Sequence, residues 1–231
     1  MTKSFFKVLL IGLSFVSASL FADAANDLKQ KLLKLESMQA NFSQIVIDEL
    51  GSELDRSSGS FQIQRPKKFK WLVSEPYEQE IISDGVNLWQ FDKDIEQVNV
   101  SNLDESFESS PAALLSNADD TLVNDYIITR VQDETQSSEK LSLLFHLRPK
   151  SEEALFESML MEFKGDDFVA FQVKDNLGQA TIVEFSEQQY NQGFDESVFN
   201  FSLPKGIDFI DSRNQQTELT RPPMPVDRTE Q

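Results

Sequence analysis

Apolar and polar residues alternate with a period of two along most of this chain. Between residues 140 and 148, the apolar members of this alternation are Leu141, Leu143, Phe145 and Leu147. Because successive side chains of a β-strand point to opposite faces, such a segment forms a strand with one apolar face. A helix would spread the same residues around its circumference. The alternation therefore favours a protein built mainly of β-strands.

The same pattern predicts about eleven short strands that are joined by turns. They include the segments 60–64, 69–73, 158–164, 199–203 and 207–210. Tight-turn sequences, Asp84-Gly85 and Asn176-Leu177-Gly178, separate neighbouring strands. Strands that are joined by such short turns pair as antiparallel neighbours.

Two segments break the alternation and predict helices. The first, 26–38, places Leu28, Leu32 and Leu35 on one helical face. The second begins near Pro111, because proline is favoured at the first position of a helix. These two segments are the available cover for the sheet.

A single sheet with this many strands must curl, because strands twist. We therefore predict a mainly β fold with helices, an open, curved antiparallel half-barrel of about eleven strands capped by a helical lid that encloses an apolar cavity. A conventionally filled core remains the alternative. The 19 Phe residues favour a cavity, since a Phe ring has no polar group and must be buried or cover something apolar.

The N-terminus is typical of a secretory signal. Lys3 and Lys7 precede a short apolar stretch, and small residues follow it. We predict a signal peptide over residues 1–22, with cleavage after Ala22 or Ala24, and a periplasmic location. A retained membrane anchor is the alternative, although the apolar stretch is shorter than the ~20 residues that a span needs. The half-barrel is then expected over 23–212, and a disordered, proline-containing tail over 213–231.

Composition argues against several classes of function. The 39 Asp and Glu residues against 21 Lys and Arg give a formal net charge of −18, which is unsuited to a nucleic-acid partner. The chain has no Cys, so it has no disulfides, cysteine-bound zinc or thiol catalysis. Asp92, Asp94 and Glu96 are spaced like part of a calcium loop but lack its Gly and bidentate Glu. We expect no metal, no cofactor and no catalytic residue, with His146 exposed on a strand.

Several short motifs follow the predicted signal in a fixed order. They are Asp23-Ala24-Ala25, Ala40-Asn41-Phe42-Ser43-Gln44, Arg65-Pro66-x-x-Phe69-x-Trp71, Glu75-Pro76-Tyr77, Ser83-Asp84-Gly85-x-x-Leu88-Trp89-x-Phe91 and Pro204-x-Gly206. In this order and spacing, the chain resembles the periplasmic outer-membrane lipoprotein carriers, the LolA family, from Asp23 to about Asp211. The resemblance implies an unclosed barrel with a helical lid. The chain also lacks the Gly-x-Ser-x-Gly, His-Glu-x-x-His and phosphate-binding Gly-loop motifs, so we expect no enzymatic activity.

The resemblance also implies a function and its partners. A monomeric member would accept acylated lipoproteins from an ABC-type releasing complex in the inner membrane and deliver them to a lipoprotein receptor in the outer membrane. Two alternatives remain open. One is a periplasmic sensor of lipoproteins with the same fold, and the other is an unrecognised lipid hydrolase.

Single residues carry the expected site. The resemblance implies that Arg65 hydrogen-bonds the lid and holds it closed, whereas spacing alone allows a solvated charge at a strand end. The expected acyl-chain cavity is apolar throughout, although plain core packing is an alternative for each member. Its residues are Leu32, Leu35, Met38, Phe42, Phe69, Trp71, Ile81, Leu114 and Leu115.

Overall fold

A computed structural model describes residues 18–103, 115, 124–131 and 142–213, with side chains from residue 23 onward. One helix, α1 (Ala18–Leu33), precedes the strands. The described residues form twelve strands, which are β1 (Ser37–Ile47), β2 (Glu53–Gln64), β3 (Lys68–Glu75), β4 (Gln79–Asp84), β5 (Asn87–Asp92), β6 (Gln97–Asn102), β7 (Tyr126–Val131), β8 (Ser142–Pro149), β9 (Phe156–Lys164), β10 (Asp167–Asp175), β11 (Ala180–Tyr190) and β12 (Asp208–Asp211).

All twelve strands join one sheet in the order β12-β6-β5-β4-β3-β2-β1-β11-β10-β9-β8-β7. Neighbours pair antiparallel except β12, which pairs with β6 in parallel. Within the described residues, β12 and β7 form the two free edges and the sheet does not close. The predicted open, curved half-barrel is confirmed, with one parallel pair that the hairpin pattern did not predict.

The predicted N-terminal helix is wrong at both ends. Helix α1 begins at Ala18, because Ala and Leu continue the helix upstream of residue 26. It ends at Leu33, and Met38 lies on β1. The alternation of Met38, Ala40 and Phe42 places these side chains on one face of a strand that bonds to partners on both sides. Pairing with β2 and β11 supplies hydrogen-bond partners for the backbone of this segment on both sides.

The two faces of the sheet carry separate apolar cores. The inner face is the one that carries Phe61, Ile63 and Met161, and α1 packs on it with Leu28 and Leu32 fully buried. The outer face carries the opposite side chains of β4 to β6. This second core is covered by the C-terminal segment, residues 196–211, whose Phe201 and Phe209 rings lie against Trp89. The buried members of the second core are Ile82, Phe91, Val98, Val100 and Phe199.

The predicted strand at 199–203 is wrong. A short 3₁₀ turn, Glu196–Phe199, stands before it, with Asp195 as its N-cap. The chain then runs without regular structure to β12, and Phe201 stacks on Trp89 with ring centroids 5.1 Å apart. Packing of the rings on the outer face, rather than a further pairing partner, determines the course of this segment.

The remaining predictions concern two turns, the second helix and the C-terminal tail. The turns at Asp84-Gly85 and Asn176-Leu177-Gly178 are confirmed between β4 and β5 and between β10 and β11. The second predicted helix and the tail lie outside the described residues, apart from Leu115 and Arg213. In the described part of the chain, no helix is both long and apolar enough to cross a membrane.

Candidate functional site

Aromatic rings line the inner face across several strands. Phe42 of β1 stacks on Trp71 of β3 with centroids 4.0 Å apart, and Phe61 of β2 lies 5.4 Å from the same Trp ring. Phe61 also contacts Phe185 of β11 at 5.4 Å, and Phe185 contacts Phe168 of β10 at 5.6 Å. The rings therefore form one continuous apolar wall from β3 to β10.

The wall is unevenly buried. Phe42, Phe61 and Phe69 are nearly inaccessible to solvent. On β3 to β5, by contrast, apolar side chains of the same face pack against the core and stay partly exposed. They are Trp71, Val73, Ile81 and Leu88. The wall around Trp71 thus presents partly exposed apolar surface on the inner face.

Gly59 makes the ring stack possible. It lies on β2 between Phe42 of β1 and Val73 of β3 in the sheet register. A Cβ atom at this position would lie 1.8 Å from the carbonyl oxygen of Leu72 and 3.0 Å from Cε1 of Phe42. The absence of a side chain lets the Phe42 ring approach the backbone and reach Trp71.

Arg65 follows the last residue of β2 and bonds to a distant part of the chain. Its Nε and Nη2 atoms donate hydrogen bonds of 2.9 and 2.8 Å to the carbonyl oxygen of Leu115. Leu115 has helical backbone geometry and a buried side chain that belongs to the inner core. The backbone N–H of Arg65 donates to the carbonyl of Glu36, in the link between α1 and β1.

Burial lowers the pKa of Arg65 to about 10. The guanidinium remains protonated near neutral pH, so both bonds to Leu115 are charge-assisted. A planar guanidinium presents its donors in a fixed fork, which a Lys cannot reproduce. The contact is therefore specific in geometry as well as in charge.

Several residues of the expected acyl-chain cavity lie on different elements. Leu32 lies on α1, Leu35 in the link after it, and Met38 on β1 instead of the predicted helix. All three are buried in the inner core together with Leu115, whereas Leu114 lies outside the described residues. The structure thus brings Leu32, Leu35, Met38 and Leu115 into one apolar cluster.

Asn191 holds together distant segments beside the Arg65 contact to Glu36, and no motif in the sequence pointed to it. Its side-chain Oδ1 accepts hydrogen bonds from the backbone N–H groups of Glu36 (2.9 Å) and Ser37 (3.2 Å). Its Nδ2 donates to the carbonyl of Lys34 at 2.9 Å. One side chain therefore fixes the link through which α1 meets the sheet. Because the partners are about 155 residues away in sequence, no local pattern could have indicated it.

Comparison with known proteins assigns the family. Residues 33–202 match the family model described as "Outer membrane lipoprotein carrier protein LolA". The chain belongs to the LolA family. An outer-membrane lipoprotein carrier protein of Alcanivorax borkumensis is 35% identical over 209 residues, which cover 88% of this chain and 98% of the relative. One of Methylobacillus flagellatus is 33% identical over 192 residues, covering 83% and 91%.

A solved structure supports the fold of this LolA-family chain. An uncharacterized conserved protein from Thermus thermophilus superposes with a TM-score of 0.50 at 12% sequence identity, over 82% of this chain and 98% of that one. At so low an identity, the likeness concerns the fold alone.

The described part of this LolA-family chain contains no group of three or more His, Cys, Asp or Glu residues that could hold a metal ion. His146 is half-buried on β8, rather than exposed as predicted, with Thr129 and Leu160 as its cross-strand neighbours. Burial, followed by the charge of Arg148, lowers the pKa of His146. The imidazole is therefore mainly neutral at neutral pH.

Proposed function

We propose that this chain is a periplasmic carrier that binds the acyl chains of lipoproteins released from the inner membrane and delivers them to an outer-membrane receptor. Its donor would be the ABC-type releasing complex, and its acceptor a receptor that is itself a lipoprotein. The carrier would act as a monomer and catalyse no reaction. Membership of the LolA family supports the carrier role, and the geometry of the inner face supports the acyl-chain site.

The chemistry of the cargo explains why a carrier is needed. Exposing an acyl chain of about sixteen carbons to water costs a free energy of ~12 kcal/mol, at ~0.8 kcal/mol per CH₂ group. Free diffusion across an aqueous compartment is therefore prohibitive. The carrier must bury these chains, yet it must hold them weakly enough to release them at the receptor.

The contact between Arg65 and Leu115, together with the partly exposed wall at Trp71, is the observation that carries the proposal. In the cargo-free protein, Leu115 contributes apolar surface to the inner core, and Arg65 holds its backbone. Cargo must displace this self-packing, so part of its binding energy opens the site. That cost weakens binding and makes release possible.

The mature carrier would lack the signal peptide, which is removed on export. We infer cleavage after Ala22 rather than Ala24, because Asp23 and Ala24 contact the rest of the fold. Asp23 lies 3.5 Å from Arg130 of β7, and Ala24 is buried in the inner core. Cleavage after Ala24 would remove both contacts.

The test is to purify the protein from the periplasm and identify by mass spectrometry what copurifies with it. An acylated lipoprotein in a soluble 1:1 complex is the expected result. The cargo-free protein should also release lipoproteins from spheroplasts. Recovery without cargo, together with failure to release, would contradict the proposal, whereas ester hydrolysis by the purified protein would favour a lipid hydrolase.

A further inference from the structure

Two hairpin turns at one end of the sheet have the same construction. Residues 48–52 (Asp-Glu-Leu-Gly-Ser) join β1 to β2, and residues 175–179 (Asp-Asn-Leu-Gly-Gln) join β10 to β11. In the first turn, Oδ1 of Asp48 accepts hydrogen bonds from the N–H groups of Leu50 (2.9 Å) and Ser52 (2.8 Å). The Gly of each turn has positive φ, +81° in the first and +85° in the second.

The second turn repeats these bonds. Oδ1 of Asp175 accepts from the N–H groups of Leu177 (2.8 Å) and Gln179 (2.9 Å). In both turns the Leu stands at the tip, where turns usually carry a polar residue. Leu50 is 91% exposed and Leu177 is 81% exposed. Two bulky apolar side chains are therefore exposed to solvent on two turns that have the same hydrogen-bonded backbone conformation.

The two tips lie side by side with a third exposed leucine. Strands β1 and β11 are neighbours, and the Glu49 side chain lies in the space that a Cβ of Gly178 would occupy. Nδ2 of Asn176 donates to the carbonyl of Ala154 at 2.9 Å, so the loop before β9 joins the same group. In that loop, Leu155 is 64% exposed. We call Leu50, Leu155 and Leu177 the leucine rim.

Charge determines what the leucine rim can meet. The three loops that carry it, 48–52, 150–155 and 175–179, contain five carboxylates and one Lys. Anionic phospholipid surfaces repel such a group, and so does the same rim of a second copy. A protein with an apolar pocket bordered by basic side chains complements both the leucines and the carboxylates.

From this arrangement, we propose that the leucine rim docks the chain onto a protein partner that has an apolar pocket with a basic border. The backbone bonds to Asp48 and Asp175 order the tips before binding, which reduces the entropy lost on association. The rim lies at the end of β1, and Arg65 packs against the link that precedes β1. Eleven residues of strand separate them, about 35 Å. Docking at the rim would leave the Arg65 end free, so it is independent of cargo binding.

The test measures the amount of isotope-labelled mature chain that binds to spheroplasts and to outer-membrane fragments of the organism that encodes it. Parallel samples are treated with trypsin, and vesicles of phosphatidylethanolamine and phosphatidylglycerol serve as the lipid probe. Binding should be saturable, weaken with salt and disappear after trypsin treatment. The double variant Leu50→Asp/Leu177→Asp should bind at least about tenfold more weakly. Ile95→Asp, a change at a turn residue that is 64% exposed, should bind as the wild type does.

Four results would overturn the inference. They are no binding by the wild type, equal binding by the double variant, equal binding to trypsin-treated membranes or lipid vesicles, and dimerisation of the wild type that the double variant abolishes. Thermal unfolding of each variant shows whether the fold is retained. Binding of purified lipoprotein is measured on the same variants. Loss of docking with normal cargo binding separates this inference from the proposed carrier function.

Discussion

At the scale of single residues, Arg65 makes the contact that would have to break when the acyl-chain site opens. It donates two hydrogen bonds to the carbonyl of Leu115, and a charge-assisted bond of this kind contributes about 1.5–3 kcal/mol. Arg65→Leu removes both bonds. If the free energy that holds the site closed falls by about 2 kcal/mol, less of the cargo's binding energy is used for opening. The variant should therefore bind lipoprotein about 30-fold more tightly and deliver it more slowly to the receptor. The measurement is transfer of purified lipoprotein from the variant to the receptor.

Arg65→Lys is the matched control for charge. Lys keeps the charge but not the fixed fork, so we expect transfer between those of the wild type and Arg65→Leu. Burial lowers the pKa of Arg65 only to about 10, so the guanidinium stays protonated between pH 6 and 8. We therefore expect no change in wild-type transfer from this group over that pH range. Normal transfer by Arg65→Leu would contradict a role for this contact in release.

Gly59 gives a second prediction at the residue scale. A Cβ at this position would overlap the carbonyl oxygen of Leu72, which is backbone and cannot turn aside. Gly59→Ala should therefore lower the free energy of unfolding by about 2–4 kcal/mol, measured by urea denaturation. Gly165→Ala is the control, because a Cβ there would have nothing within 4 Å and only the positive φ of 66° opposes a side chain. It should cost about 1–2 kcal/mol. Equal losses would show that the close approach to Leu72 is not what requires glycine.

At the scale of elements, the link between α1 and β1 depends on Asn191. Its side chain makes three hydrogen bonds to the backbone of residues 34, 36 and 37. Asn191→Gly keeps the positive φ of 56° accessible but removes all three bonds. We expect a loss of about 2 kcal/mol in the free energy of unfolding, with faster amide hydrogen exchange at Glu36 and Ser37. Unchanged exchange at these two amides would show that the link is held by other contacts.

The elements also differ in how far the sequence could predict them. Strands such as β9 were predictable, because the alternation of Met159, Met161 and Phe163 is a local property. The boundary between α1 and β1 was not, since Met38 fits the helical spacing of Leu35 and also the alternation of β1. Pairing with β11, more than 130 residues away in sequence, decides between the two. The segment around Phe201 failed for the same reason, because its partner Trp89 is distant.

The expected site residues follow the same division. Phe69 and Trp71 lie on a strand with a clear alternation, and the structure places them on the inner face. Ile81 is next to another Ile in β4, so it was expected only from the resemblance, and it also lies on the inner face. The bonds of Arg65 to Leu115 span 50 residues and required the resemblance to be anticipated. Asn191 had neither signal. Residues that act through one face of a strand are thus predictable locally, whereas residues that join distant segments are not.

At the scale of the whole molecule, the two tryptophans report on opposite faces of one sheet. Trp71 lies on the inner face against Phe42 and Phe61. Trp89 lies on the outer face beneath Phe201, with the Arg213 guanidinium 5.8 Å from its ring. The sheet and its backbone stand between them. A ligand that occupies only the inner face should therefore contact Trp71 and leave Trp89 unaffected.

A lipopeptide with brominated acyl chains tests this separation, because bromine quenches a tryptophan that it contacts. In Trp89→Phe, the remaining emission comes from Trp71 and should be quenched as the lipopeptide binds. In Trp71→Phe, the remaining emission comes from Trp89 and should persist at saturating lipopeptide, with binding checked by an independent titration. The C-terminal segment covers the outer face with rings that an acyl chain could also use. Quenching of Trp89 but not Trp71 would therefore place the cargo under that segment and exclude the inner face as its site.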